Sequence, residues 1–191
     1  MKEKREQILE AVLGLFMEEG LKGMKVSAIA RRADVGKGTV YEYFKSKEEL
    51  FLGAVAYGIE QLSVMVNEKL EMTESFRDSF DSIVDCIAEI ANRGPFMTFM
   101  TDTANMPFSN ETVLKLKEIL QSAFVNFSSA MSEVLKKGTE EGLIKYPEDQ
   151  KYIRAMLVII SNMTMQHVHN GHEDLDELKD FYYEACLKLL A

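Results

Sequence analysis

Two cysteines, three prolines and no apolar run of membrane length set the first bounds on this 191-residue sequence. Cys86 and Cys186 stand far apart in helical patterns, beside Ile83, Ile87, Ala185 and Leu189, so they read as buried cytosolic thiols. The longest nearly apolar window, Ala155 to Met165, is broken by Ser161, Asn162 and Thr164 and falls short of the ~20 residues that a membrane span needs. Met1 to Glu10 is charged and helical in pattern, with no apolar stretch of a signal peptide behind it. The expectation is a cytoplasmic protein with no membrane partner. Nothing like a G-x-S-x-G elbow occurs, and no Ser, His and acid set with supporting glycines, so neither enzyme activity nor a cofactor is expected. Strand patterns, repeats and low-complexity segments are also missing. A composition 47% hydrophobic and 28% charged is that of a globular protein.

The charge is unevenly spread. The net charge is −9, yet residues 1–50 carry ten cations and nine anions, leaving 12 cations and 22 anions, or −10, for the rest. Between Gly20 and Lys47 seven cations (Lys22, Lys25, Arg31, Arg32, Lys37, Lys45, Lys47) face two anions, Asp34 and Glu42. An acidic body would be repelled by phosphate and would turn a basic end toward a duplex.

The organising stretch is Val26 to Leu50, VSAIARRADVGKGTVYEYFKSKEEL. Ile29, Ala30 and Ala33 share one helical face, and Ser27 is positioned to cap that helix. Asp34-Val35-Gly36 combines a residue tolerant of left-handed dihedrals, an apolar anchor and a glycine, which together reverse the chain. A second helix from Lys37 to Phe44 turns Val40 and Phe44 inward and Lys37, Thr39, Glu42 and Tyr43 outward. Its opening Gly36-Lys37-Gly38-Thr39 permits close approach to a phosphate backbone. Ser46-Lys47-Glu48-Glu49 is an S-x-x-E capping box that starts a further helix at Lys47. Two short helices with a tight break between them are a helix-turn-helix signature.

The run ADVGKGTVYEYFKSKEEL resembles the DNA-binding signature of the TetR family of transcriptional regulators, over roughly the first quarter of the chain. It departs from that family at two positions, with Asp34 where Gly is usual and Gly36 where Ser or Thr is usual. The second helix thus lacks a hydroxyl cap, which costs only a few tenths of ~1 kcal/mol. The resemblance implies a three-helix DNA-binding domain at 1–46 and a ligand-binding and dimerising domain at 47–191. Ser27, Tyr41, Lys45 and Lys47 would then serve phosphates, with Lys37, Gly38, Thr39 and Tyr43 nearest the bases. Lys22 and Lys25 would lie beside the DNA backbone.

About nine helices are expected in an all-α fold. The first runs from about Lys2 to Glu19, with Ile8, Leu9, Val12, Leu15 and Phe16 on one face and Gly20 as its stop. The fourth extends from Lys47 to about Glu71 as a rod joining the two domains, and the next carries Phe76, Phe80, Ile83, Ile87 and Ile90 on one stripe until Gly94-Pro95. Phe96 to Asn105 forms a short segment before Pro107. A long helix follows from about Ser109 to Glu141 and stops at Gly142, and Pro147-Glu148-Asp149 opens another that is apolar nearly all round. The last begins near Asp174. Ile153, Met156, Leu157 and Ile160, with Leu178, Tyr182, Ala185 and Leu189, are a surplus expected to pair across a two-fold in a homodimer.

His167, His169, His172 and Glu173 suggest a metal site, but H-x-H on a helix points its rings some 200° apart, so none is expected. Phe80, Phe96, Phe99, Met100, Phe124, Phe127, Met131 and Met163 are soft and flat side chains suited to an apolar ligand, with Asn162, Gln166 and His167 as its polar contacts. The function expected is a ligand-responsive repressor released from palindromic double-stranded DNA by an apolar small molecule. Its alternative is a small-molecule sensor that does not bind DNA.

Overall fold

The computed structural model describes residues 3–19, 25–92, 108–146, 150–172 and 174–190. Among them are eight helices and no strand: α1 (Lys4–Glu19), α2 (Val26–Arg32), α3 (Lys37–Tyr43), α4 (Lys47–Glu71), α5 (Phe76–Asn92), α6 (Asn110–Glu140), α7 (Gln150–His169) and α8 (Asp176–Leu190). The all-α expectation holds. Several sequence expectations lie outside the described residues: the Gly20 stop, Lys22, the segment at 96–105 that brings the count to nine, Pro147 to Asp149, and Glu173.

Helix ends follow local chemistry. α2, α6 and α7 all close with the same backbone pattern, in which a left-handed residue two past the helix lets the following N–H reach back to a carbonyl in the last turn. At α6 the left-handed residue is Gly142, with φ 72°, and Leu143 N–H donates to Gly138 O at 2.9 Å. At α7 it is Gly171, with φ 82°, and His172 N–H donates to His167 O at 3.3 Å. Serines cap three helix starts. Ser46 Oγ accepts from Glu49 N–H at 3.0 Å, Ser75 Oγ from Asp78 N–H at 3.0 Å, and Ser109 Oγ from Thr112 N–H at 3.3 Å.

The chain falls into two compact units. The first comprises Met1–Gln61 with Arg93–Ser122, and the second Leu62–Asn92 with Ala123–Ala191, so α4 and α6 each contribute to both. In the first unit Ile8, Leu9 and Val12 of α1 pack with Ile29 and Ala30 of α2, Val40 and Phe44 around α3, and Leu50 and Ala54 of α4. A smaller cluster sets Phe51 and Leu116 against Phe16, Phe108 and Leu120. In the second unit Phe76, Phe80, Ile83, Met131, Leu135 and Ile153 are essentially inaccessible to solvent. Burying each of these side chains contributes about 1.5–3 kcal/mol. α4 is long and apolar enough to cross a membrane by length and composition, but its Leu50 and Ala54 are buried in the first unit's main cluster, Phe51 in its smaller one, and Val66 in the second unit's core.

The apolar surplus of α7 and α8 is present, but of the residues that periodicity suggested only Leu189 is exposed. Ile153, Leu157, Ile160 and Tyr182 are buried within the second unit's own core, while Met156, Leu178 and Ala185 are half-buried. The solvent-facing apolar side chains are Tyr152, Val158, Ile159, Met163, Phe181 and Leu189. A helix apolar on all sides does not itself say which side its own chain covers.

Candidate nucleic-acid interface and ligand cleft

The two helices of the motif are joined as local chemistry requires, with one correction. α2 begins at Val26, with Lys25 in extended conformation as its N-cap, so Ser27 lies within the first turn and supplies no cap. Val26 is buried, and drawing it into the core starts the helix ahead of Ser27. Ser27 is exposed there. At the other end Ala33 N–H donates to Ile29 O at 2.9 Å, and Asp34 takes φ 53°. Val35 N–H then reaches Ala30 O at 2.9 Å and Asp34 N–H reaches Arg31 O at 3.4 Å, so Asp34 does what a glycine usually does at a helix end. Gly36, with φ −71° and ψ 150°, is ordinary extended backbone and makes no side-chain cap for α3.

α3 is held by Val40 and by Phe44, which follows its last residue; both are buried. Lys37, Gly38, Tyr41, Glu42 and Tyr43 are exposed and Thr39 half-buried. Tyr41 and Tyr43 keep 54% and 42% of their surface in solvent, large values for aromatic rings. A methyl group added at Gly38 would meet no atom of the described residues within 4 Å. Glycine inside a helix costs about 1 kcal/mol relative to alanine, and here no neighbour in the chain requires it.

The basic patch is smaller than the count of cations implies. The guanidinium of Arg32 lies over Gly14, where an added Cβ would come within 2.5 Å of it, and it holds Glu18 through two bonds of 2.6 and 2.8 Å. That hydrogen bonding keeps the Glu18 carboxyl below its ordinary range. Arg32 is thus already partnered, whereas Lys37, Lys45 and Lys47 form no ion pair among the described residues and are exposed.

At the start of α4 the capping box is displaced by one residue. Glu49 Oε2 accepts from Lys45 N–H at 2.7 Å rather than from the N–H of Ser46. Glu48 has a long-range role that its spacing does not announce. Its carboxylate accepts from Ser109 N–H at 3.2 Å, from Ser109 Oγ at 2.8 Å and from the Thr112 hydroxyl, joining the first turn of α4 to that of α6. Those hydroxyl and amide donors, Thr112 first, hold the Glu48 carboxyl below the ordinary range.

The second unit contains a cleft of about 650 Å³ between α4 and α6. Of the side chains expected around a ligand, Phe127 lines it. Phe80 and Met131 are wholly buried in the core and Phe124 is half-buried against it. Asn162, Met163 and Gln166 are exposed on α7, and Asn162 Nδ2 donates to Val158 O at 2.8 Å. His167 is half-buried, with Nε2 2.8 Å from Asp174 O and its ring centroid 4.8 Å from that of His172. Phe96, Phe99 and Met100 lie outside the described residues. Sequence reasoning missed Val66, Leu70, Thr73, Ser79 and Lys137 of the cleft. Nothing local marks them, because they come from α4, the link after it, α5 and the distant α6.

Residues 8–54 match the family model of bacterial regulatory proteins of the tetR family. Over 184 residues the chain is 26% identical to the helix-turn-helix-type transcriptional regulator YhgD of Bacillus subtilis, with 94% of each chain covered. It is 24% identical to the fatty acid metabolism regulator protein of the same organism, over 82% of this chain and 80% of that one. The crystal structure of the transcriptional regulator FadR from Bacillus subtilis in complex with stearoyl-CoA superposes with a TM-score of 0.67 at 23% identity, covering 95% and 97% of the two chains, and so shares the fold.

Proposed function

We propose, since residues 8–54 match the family model of bacterial regulatory proteins of the tetR family, that this chain is a ligand-responsive transcriptional repressor, released from a palindromic duplex operator by an apolar small molecule. The observation that carries the DNA-binding part is the solvent side of α3, where Lys37, Tyr41 and Tyr43 are exposed and no described neighbour requires the glycine at Gly38. A glycine and a cation at the start of a short helix suit close approach to phosphate, and Thr39 and Tyr43 stand where base edges are read. Exposed Ser27, Tyr41, Lys45 and Lys47 suit the flanking phosphates.

The same reading places the protein in the cytoplasm as a homodimer, since one head reads too few base pairs for a palindrome. Exposed Val158, Ile159 and Phe181 are among the apolar side chains available for that pairing. The domains are taken as 1–46 for DNA and 47–191 for ligand and dimerisation. Support for an acyl-type effector comes from the fatty acid metabolism regulator protein and from the stearoyl-CoA bound by the Bacillus subtilis structure. A ligand that prefers the conformation with low DNA affinity lowers binding by its differential affinity for the two states. The test is selection of bound duplexes from a random pool. A two-fold symmetric consensus is expected, and a pool that stays random after repeated selection removes the reading.

A further inference from the structure

The cleft of the second unit joins apolar side chains to an ammonium group that, among the described residues, no carboxylate pairs with. Lys137 of α6 donates from Nζ to Thr73 O at 2.7 Å, to Ser79 Oγ at 2.9 Å and to Thr73 Oγ1 at 3.2 Å. Thr73 Oγ1 itself donates to Leu70 O at 2.7 Å and lies 2.6 Å from Ser79 Oγ. Ser79 is wholly buried and Lys137 half-buried. All three partners of the ammonium are neutral oxygens, and among the described residues no carboxylate lies within ion-pair distance of it. The two acidic residues that line the cleft, Glu71 and Glu133, are both exposed, and Glu133 is already paired with Lys136 at 2.6 Å.

A half-buried ammonium whose hydrogen-bond partners are all neutral gains from an anion supplied from outside, because a charge-assisted bond to a carboxylate or phosphate is stronger than one to a neutral oxygen. The 3.2 Å bond to Thr73 Oγ1 is the longest of the three, so an anionic oxygen at about 2.7–2.9 Å would replace it with a stronger, charge-assisted bond. Away from Lys137 the lining combines apolar Val66, Leu70, Phe127, Ala130 and Val134 with uncharged polar Ser63, Asn67, Asn126 and Ser129. The lining of α6 runs from Asn126 to Lys137, about 16 Å along the helix at its rise per residue. The volume is within the ~300–1,000 Å³ that small-molecule sites occupy.

We infer that this cleft takes a single-chain amphiphile with an anionic head, carboxylate or phosphate, and that Lys137 selects the head. This rests on the ligand-responsive reading above, but binding can be read without DNA. Titration calorimetry of the full chain, below micelle concentrations, would compare dodecanoate, dodecyl phosphate, dodecanol and dodecylamine. Either or both anions should bind at least tenfold more tightly than the alcohol and the amine, and the better of the two identifies the head. Lys137→Met should remove that preference while leaving alcohol binding within about threefold, and Lys137→Arg should restore it, with thermal unfolding of each variant showing that it folds. Equal binding of all four heads, or an anion preference that survives Lys137→Met, overturns the inference. If the Lys137-dependent preference is found but bound anion leaves operator affinity unchanged, the cleft stands and the ligand-responsive reading falls. If dodecanoate releases DNA equally from the wild type and Lys137→Met, that reading stands and the cleft falls.

Discussion

Asp34 offers a separation of conformation from charge. It holds φ 53° at the break between α2 and α3, where both reaching-back hydrogen bonds, Val35 N–H to Ala30 O and Asp34 N–H to Arg31 O, are made by backbone atoms. Any residue that tolerates the dihedral keeps the turn. A side chain with a Cβ pays roughly 1–2 kcal/mol in the left-handed region, Asp less because its short polar group is tolerated there, and glycine essentially nothing. Glycine also loses more freedom on folding, by about 0.5–1 kcal/mol, so Asp34→Gly should leave stability nearly unchanged. Asp34→Ala should lose about 1 kcal/mol, which for a chain of this size lowers Tm by about 2–4 °C. Both variants delete one of the few anions among the cations of the motif, so a gain in DNA affinity should be common to them and should shrink with salt. Thermal unfolding and duplex binding of the two proteins side by side test this. An alanine variant as stable as the glycine one would refute the conformational argument.

Lys47→Ala should weaken binding to all duplexes about equally, whereas Thr39→Ala should change preference at one base position, as competition between operator variants would report. Met131→Ala, in a site with no solvent exposure, should destabilise by about 2–5 kcal/mol in denaturant unfolding. Ile159→Glu, on the exposed side of α7, should shift the sedimenting species from dimer to monomer with its helical content intact. Tyr57 tests a pH dependence: burial first, then donation to Glu10 Oε1 at 2.9 Å, push its phenol up to about 12. The folded state thus favours the neutral phenol, so this stability is fully present below ~10 and is lost as pH rises toward the folded value. Tyr57→Phe should lose less stability than the wild type across that window, while Cys186, pushed up to about 12 by burial, contributes alkaline loss in both proteins.

What the sequence made legible was what is decided within a few residues. The inward pair Val40 and Phe44, the left-handed Asp34, the Ser46 cap and the Gly142 stop each follow from side-chain chemistry and helical period, and each stands where that reasoning put it. Ser27 shows the limit of the same logic, because burial of Val26 outweighed a hydroxyl cap in fixing where α2 begins. Long-range partners left no local mark. Glu48 meeting Ser109 and Thr112, Arg32 lying over Gly14, and Lys137 meeting Thr73 and Ser79 depend on how helices cross, which periodicity does not specify. The same gap separates Phe80 and Met131, which fill the core, from Phe127, which lines the cleft.

The central claim is that the exposed side of α3 and the start of α4 hold duplex DNA. Binding of the intact protein to its selected operator, followed by fluorescence anisotropy from low to high salt, addresses this most directly. With Lys45 and Lys47 on phosphates in each of two heads, the slope of log K against log salt should be at least about −3, and Lys47→Ala should flatten it by about 2. No binding at low salt, or binding that is indifferent to salt and to Lys47→Ala, would contradict the account.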